Sequence, residues 1–126
     1  MVRTPAIRVV LVEDNKVFRE AMELLLSMQG QIQVVATVDN GSDASAVCAS
    51  YRPDVVLLDY RLPGLDGAQA AHAIREAAPE ARIVCLTASV SPDEVSELYD
   101  AGAVACLTKD TDLDAIIEAI RDAAHR

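Results

Sequence analysis

The sequence predicts an α/β fold built on one parallel sheet. Three features point there: short runs rich in Val and Ile, helical patterns between successive runs, and near-continuous apolar character in the central ones. Parallel strands are covered by helices on both faces, so their sequences lose the polar alternation of a half-exposed strand. The chain has 126 residues, and 52% of them are hydrophobic. Residues 1–126 therefore read as one domain with a core that needs no disulfide or metal staple. Aromatics supply only 3% and Trp is absent, so that core must come from Ala, Val, Leu and Ile.

The elements follow in order. IRVVLV at 7–12, IQVVATV at 32–38, VVLL at 55–58, RIVCLT at 82–87 and VACLT at 104–108 read as strands. Between the first two, residues 16–28 form a helical pattern with Val17, Ala21, Leu24 and Met28 on one face, the expected core face. Ser91-Pro92-Asp93-Glu94 is a capping box with Pro at the first helical position, and Gly102 marks where that helix stops. Thr111-Asp112-Leu113-Asp114 opens a last helix whose Leu113, Ile116, Ile117 and Ile120 form a buried stripe. Right-handed crossovers then arrange the alternating elements as one twisted parallel sheet with helices on both faces.

Charge narrows the function. The formal charge is −9, from 20 acidic and 11 basic side chains, and most of the excess follows Pro63. Lys16 and Lys109 are the two lysines and the arginines are scattered, so no basic stripe exists to neutralise phosphates. Direct binding to nucleic acid or an anionic membrane is excluded on that ground. No segment approaches the ~20 apolar residues of a membrane span, and residues 1–5 do not read as an export signal. Cys48, Cys85 and Cys106 are unclustered in sequence and set in apolar surroundings, so three buried free thiols in a reducing cytoplasm are expected.

In a sheet of this kind functional groups gather beyond the carboxyl ends of the strands. Glu13, Asp14 and Asn15 follow the first strand and Asp59 follows the third. The fourth ends in Thr87-Ala88-Ser89 and the fifth in Lys109. Close carboxylates repel unless a cation sits among them, and oxygen donors without His or Cys suit Mg²⁺ or Mn²⁺. Thr87 can donate to a phosphoryl oxygen, Lys109 can pair with its charge, and Asp59 can act as an aspartyl-phosphate nucleophile. Taken singly each residue has a plain reading: Asp14 could cap a helix, Asp59 could be a turn residue, Lys109 a surface charge. Four strand ends supplying the needed types together favour the chemical reading.

Leu11-Val12-Glu13-Asp14-Asn15, Val55-Val56-Leu57-Leu58-Asp59-Tyr60-Arg61-Leu62-Pro63-Gly64-Leu65-Asp66-Gly67, Leu86-Thr87-Ala88 and Ala101-Gly102-Ala103 through Lys109 resemble a response-regulator receiver domain of two-component signalling. The resemblance spans essentially the whole chain. It implies a flavodoxin-like sheet of order 2-1-3-4-5 flanked by five helices. It implies that Asp59 accepts a phosphoryl group from a histidine kinase or a small donor such as acetyl phosphate. Asp14, Asp59 and the backbone carbonyl of Arg61 would ligate Mg²⁺, with Glu13 acting through water, while Thr87 and Lys109 would bind the phosphoryl oxygens. Pro63 and Gly67 would shape the loop after Asp59. Arg61 and Ser89, two beyond Asp59 and Thr87, would tune self-dephosphorylation. The output face would comprise the fourth helix, fifth strand and fifth helix, biased by phosphorylation between two pre-existing states.

Two positions depart from that pattern. Cys106 stands where an inward-swinging aromatic is usual, leaving the route of activation to the output face in doubt. Asp110 stands where many receivers have a cis proline, so a trans Lys109–Asp110 bond is expected. Lys109-Asp110-Thr111 is similar to receivers that precede a LuxR-type helix-turn-helix domain, favouring an N-terminal piece of a longer cytoplasmic regulator with DNA bound through a separate domain. Homodimers through α4-β5-α5 or α1/α5 fit such a protein. A haloacid-dehalogenase-like phosphatase would need an Asp at position 61, where Arg stands. A pseudo-receiver, binding partners without phosphoryl chemistry, is the second reading. His72 and His125 are expected on the surface, and neither is read as a phosphodonor.

Overall fold

Strands β1 (Ile7–Val12), β2 (Ile32–Val38), β3 (Val55–Leu58), β4 (Arg82–Thr87) and β5 (Ala103–Thr108) alternate with α1 (Lys16–Ser27), α2 (Ala44–Tyr51), α3 (Gly67–Ala77), α4 (Pro92–Asp100) and α5 (Leu113–Ala124). The structure is a computed structural model, and its described residues are 5–89 and 91–126. The reading of residues 1–5 as no export signal therefore falls almost wholly outside them. All strand pairs are parallel, in the order β2-β1-β3-β4-β5. The sequence-predicted topology is thus observed, with β5 beginning one residue earlier than expected. The chain leaves β1 first towards β2 and later returns to its other side with β3. This reversal opens a crevice beyond the carboxyl ends of β1 and β3.

Alternation along each strand divides the core into two layers. Val10, Val12, Val56, Leu58, Ile83 and Cys85 face α2, α3 and α4, where Ala70, Ala71, Ile74 and Leu98 cover them. Val9, Leu11, Val55, Leu57, Val84 and Leu86 face the other way, onto Met22 and Leu26 of α1 and Ile116, Ile117 and Ile120 of α5. Both faces of β3 are buried, which is why VVLL carries no polar residue.

Helix ends follow the sequence signals. Ser91 and Glu94 form the expected capping box, and α3 carries a second one from Asp66 and Gln69 that the sequence reading did not single out. Asp112 caps α5 by accepting from the Ala115 N–H at 2.9 Å. Gly102, at φ 110°, ends the α4 turn as expected. In α5, Ile116, Ile117 and Ile120 are buried, whereas Leu113 is only partly so.

Helix α1 corrects the sequence reading. The buried residues are Met22 and Leu26, with Phe18 half-buried. The expected core face instead lies outside: Val17 is 79% exposed, Leu24 64% and Met28 71%. The helix carries two apolar stripes, and periodicity alone does not choose between them. The entry geometry does. Asn15, rather than Asp14, is the N-cap, its side chain accepting from the Phe18 N–H at 2.9 Å. That fixes the rotation of α1 relative to the end of β1.

Leu26→Ala is expected to cost about 2–5 kcal/mol, the usual range for a fully buried leucine. Leu24→Ala should stay within about 0.5 kcal/mol, as for surface substitutions generally. Urea unfolding of both variants checks the orientation of α1, and similar losses would contradict it.

Candidate functional site

The crevice beyond β1 and β3 is acidic because the backbone ladder runs one residue past each strand. The Glu13 N–H donates to the Val38 carbonyl at 2.8 Å and the Asp59 N–H to the Val12 carbonyl at 3.1 Å. Their side chains are thereby fixed at the sheet edge. Glu13 and Asp59 are buried while Asp14 is exposed. One carboxylate oxygen from each of the three lies within 4.8 Å of the others.

A single ammonium answers them. Lys109 follows β5, and its N–H donates to the Thr87 carbonyl at 2.9 Å. Its Nζ lies 2.6 Å from Glu13 Oε1 and 3.3 Å from Asp59 Oδ2. The Phe18 ring, 4.5 Å from Nζ at its centroid, covers the charge. Two further groups hold Glu13: the Asn15 N–H donates to Oε2 at 3.0 Å, and Arg19 Nη1 to the backbone carbonyl at 2.9 Å.

Electrostatics follow from crowding. Burial pushes the Glu13 carboxyl above its usual value, despite hydrogen bonds from Lys109 and Asn15, and the Asp59 charge pushes the same way. For Lys109, burial works downward but hydrogen bonding and attraction to Glu13 and Asp59 prevail, holding the ammonium above its usual value. A 2.6 Å ion pair with a raised acid looks contradictory until the sharing is considered. One lysine divided between two buried carboxylates does not offset the desolvation of either.

Thr87 ends β4 with its residue fully buried and its hydroxyl without a hydrogen-bond partner among the described residues. An unsatisfied buried hydroxyl costs about 1–3 kcal/mol, so its retention points to a ligand. The oxygen donors of Glu13, Asp14 and Asp59 fit a hard divalent cation such as Mg²⁺.

The loop after Asp59 is packed too closely for larger residues. A Cβ on Gly67 would lie 2.6 Å from the Tyr60 Cα and 2.9 Å from the Asp59 carbonyl oxygen. Pro63 offers its carbonyl to the Gly41 N–H at 2.9 Å. The Tyr60 hydroxyl donates to Glu97 Oε2 at 3.2 Å. Arg61 turns towards α4, with Nη1 3.0 Å from Glu94 Oε2 and Nη2 donating to Oε1, also at 3.0 Å. Glu94 Oε1 also accepts from the Ser91 N–H at 2.8 Å. Its carboxyl is held below its usual value, mainly by that backbone hydrogen bond.

Of the residues singled out from sequence, Glu13, Asp14, Asp59 and Lys109 come together, and Thr87 ends the adjoining strand. The Arg61 guanidinium is engaged by Glu94 and lies 5.1 Å from the Tyr60 ring centroid. Ser89 is exposed beyond β4, as are His72 and His125. Cys106 is half-buried, correcting the expectation of three buried thiols. The reason is position: β5 is an edge strand, covered less completely than β3 or β4. Lys109–Asp110 is trans, as expected. The roles of Phe18 and Arg19, and the pairing of Glu94 with Arg61, escaped the sequence reading. Only Phe18 left a signal there, as the sole Phe and one turn beyond the acidic pair.

Comparison with known proteins agrees with this geometry. Residues 9–121 match the response regulator receiver domain family. The transcriptional regulatory protein NarL of Mycobacterium tuberculosis is 38% identical over 118 residues, covering 94% of this chain and 55% of that protein. DegU of Brevibacillus brevis is 30% identical over 119 residues, covering 94% and 50% respectively. The chain thus spans about half the length of these curated relatives. Among solved structures, the signal receiver domain of NarL from Mycobacterium tuberculosis superimposes with a TM-score of 0.91 at 37% identity, covering 97% of this chain and 98% of that one. A LuxR-family two-component response regulator from an Aurantimonas species gives 0.89 at 29% identity, covering 97% and 86%. With its parallel sheet, its acidic crevice and these relatives, the chain belongs to the response regulator receiver domain family and resembles receivers of the LuxR type.

Proposed function

We propose that this domain is a phosphorylation-activated switch in which Asp59 accepts a phosphoryl group from a histidine kinase. The observation that carries the reading is Asp59 itself, a buried carboxylate 3.3 Å from the Lys109 ammonium and grouped with two further carboxylates. An Asp59 oxygen attacks phosphorus while the bond from phosphorus to the donor imidazole breaks and its electron pair returns to the ring nitrogen. Asp14, Asp59 and the Arg61 backbone carbonyl would hold Mg²⁺, with Glu13 acting through water. The cation supplies neutralisation of charge on the transferring phosphoryl oxygens. Lys109 pairs with the transferred group, and the free Thr87 hydroxyl donates to it. The same carboxylate would take a phosphoryl group from small donors such as acetyl phosphate and lose it slowly by self-dephosphorylation, and the domain would have no further enzyme role.

The added charge of up to about −2 then reorganises Thr87 and Lys109 and alters the face formed by α4, β5 and α5. In a longer regulator that face would control transcription through a separate DNA-binding domain, in the cytoplasm. No helix among the described residues is long and apolar enough to cross a membrane. Self-association through α1/α5 is supported by the exposed Val17, Leu24 and Met28; α4-β5-α5 is the other candidate face.

Acetyl phosphate with Mg²⁺ should add one phosphoryl mass to the intact chain, and Asp59→Asn should remove the adduct. No adduct on the parent chain would favour a partner-binding module without phosphoryl chemistry. Thr87→Val removes an unpartnered hydroxyl at nearly constant volume. Its stability to urea should therefore hold or rise by about 1 kcal/mol, while phosphorylation slows at least about tenfold. A folded variant phosphorylating at the parent rate would remove Thr87 from the site. Arg61→Ala should change the acyl-phosphate lifetime and leave adduct formation intact, as read by phosphoryl decay after donor removal.

A further inference from the structure

Cys85 and Cys106 lie far apart in sequence, and the fold makes them neighbours. They are register partners on the adjacent parallel strands β4 and β5. Both side chains lie on the α4 side of the sheet, Cys85 within the core there and Cys106 packed against it. Hydrogen-bonded strands run about 4.8 Å apart, inside the roughly 4.4–6.8 Å between Cα atoms that a disulfide spans. The two thiols therefore sit side by side across the strand pair. Neither has a part in the phosphoryl chemistry proposed above.

Their environments differ in the sense that a two-step oxidation needs. Cys85 is fully buried, and Cys106 is partly open to solvent. Interaction with the neighbouring Cys85 thiol draws the Cys106 thiol below its usual value; burial opposes this and Tyr99 assists it. Interaction with Cys106 and then burial push the Cys85 thiol above its own. The thiolate is the attacking species in thiol oxidation and the oxidant must reach it, so the solvent-open Cys106 is the group that reacts first. Cys48 supplies an internal control: it is fully buried, and burial pushes its thiol up to about 12.

We propose that Cys85 and Cys106 form an oxidisable dithiol that a hydroperoxide converts into a disulfide tying β4 to β5. The Cys106 thiolate attacks the nearer peroxide oxygen, the O–O bond breaks, and the departing hydroxide takes a proton. Hydrogen peroxide is thus reduced to water and Cys106 is oxidised to a sulfenic acid. The Cys85 sulfur then attacks the Cys106 sulfur, an S–S bond forms, and the sulfenic hydroxyl leaves as a second water with the Cys85 proton. The oxidised pair lies two residues before Thr87 and three before Lys109. The bond would therefore couple the strand ends on which the phosphoryl site is built. A thiol reductant restores the open form.

The test is mild hydrogen peroxide on the purified chain, followed by alkylation under denaturing conditions and peptide mapping. Wild type and Cys48→Ala should each lose the mass of two hydrogens and yield a peptide linking Cys85 to Cys106. Cys85→Ala should leave Cys106 as the main residue trapped as a sulfenic acid by dimedone. Cys106→Ser should protect Cys85 from oxidation altogether. The proposal is overturned if wild type keeps both thiols under conditions that label Cys106 in Cys85→Ala. It is equally overturned if Cys106 links only between molecules. Should Cys85→Ala fail to fold by circular dichroism, the presence or absence of the linked peptide in wild type decides alone.

Discussion

Three carboxylates and one ammonium share the carboxyl edge of the sheet, and this imbalance governs the site. Two unit charges 4.8 Å apart repel by about 3–4 kcal/mol at an effective dielectric near 20. Lys109 relieves Glu13 and Asp59 without neutralising the cluster. The fold tolerates this because the acids are delivered by the strand ends themselves. Moving Glu13 or Asp59 away would break the backbone bonds to Val38 and Val12 that extend the sheet. A cation bound there would draw folding stability from mass action, since only the folded chain assembles the donors. The same crowding accounts for the elevated Glu13 carboxyl and for the aromatic cover that Phe18 gives the lysine.

That imbalance refines the meaning of a net charge of −9. Glu13 and Asp59 are buried, and their cost is set by local geometry. Half of the other acids are exposed helix residues, among them Asp93, Asp114 and Glu118, and the rest lie mainly in loops and at helix caps. Some of these have local work. Asp66 and Asp112 cap helices, and Glu94 both caps α4 and binds Arg61. Acidity therefore has different origins and different work on the surface and in the crevice.

The strands were legible because β-branched runs bounded by helical patterns have few other solutions in a parallel sheet, and the observed order agrees. Asp14, Asp59, Thr87 and Lys109 were legible because each ends or follows a strand, so topology alone gathers them. The core face of α1 was not. Val17, Leu24 and Met28 are as apolar as Phe18, Met22 and Leu26, and only the Asn15 cap decides which stripe turns inward. The partial exposure of Cys106 depends on β5 being an edge strand, a property of strand order rather than of local sequence. Glu94 was read correctly as a cap, but its second role needs a loop more than thirty residues away in sequence.

Cys106 raises the question of how the Asp59 loop communicates with α4 when the usual aromatic is missing. Polar contacts join the two elements in this structure. The Arg61 N–H approaches Asp59 Oδ1 at 3.4 Å, while the Arg61 guanidinium grips Glu94, which also caps the first turn of α4. One residue earlier, Tyr60 donates to Glu97 in the following turn. Burial, then the charges of Asp66 and Glu97, push the Tyr60 phenol up to about 12, so it stays a donor at any ordinary pH. Two consecutive residues after Asp59 thus hold two consecutive turns of α4. A charge placed on Asp59 would act on the Arg61 backbone directly, and Gly67, with no room for a Cβ, limits how far that loop can yield elsewhere. The contacts between this loop and α4 are hydrogen bonds and one ion pair, all from residues that follow β3.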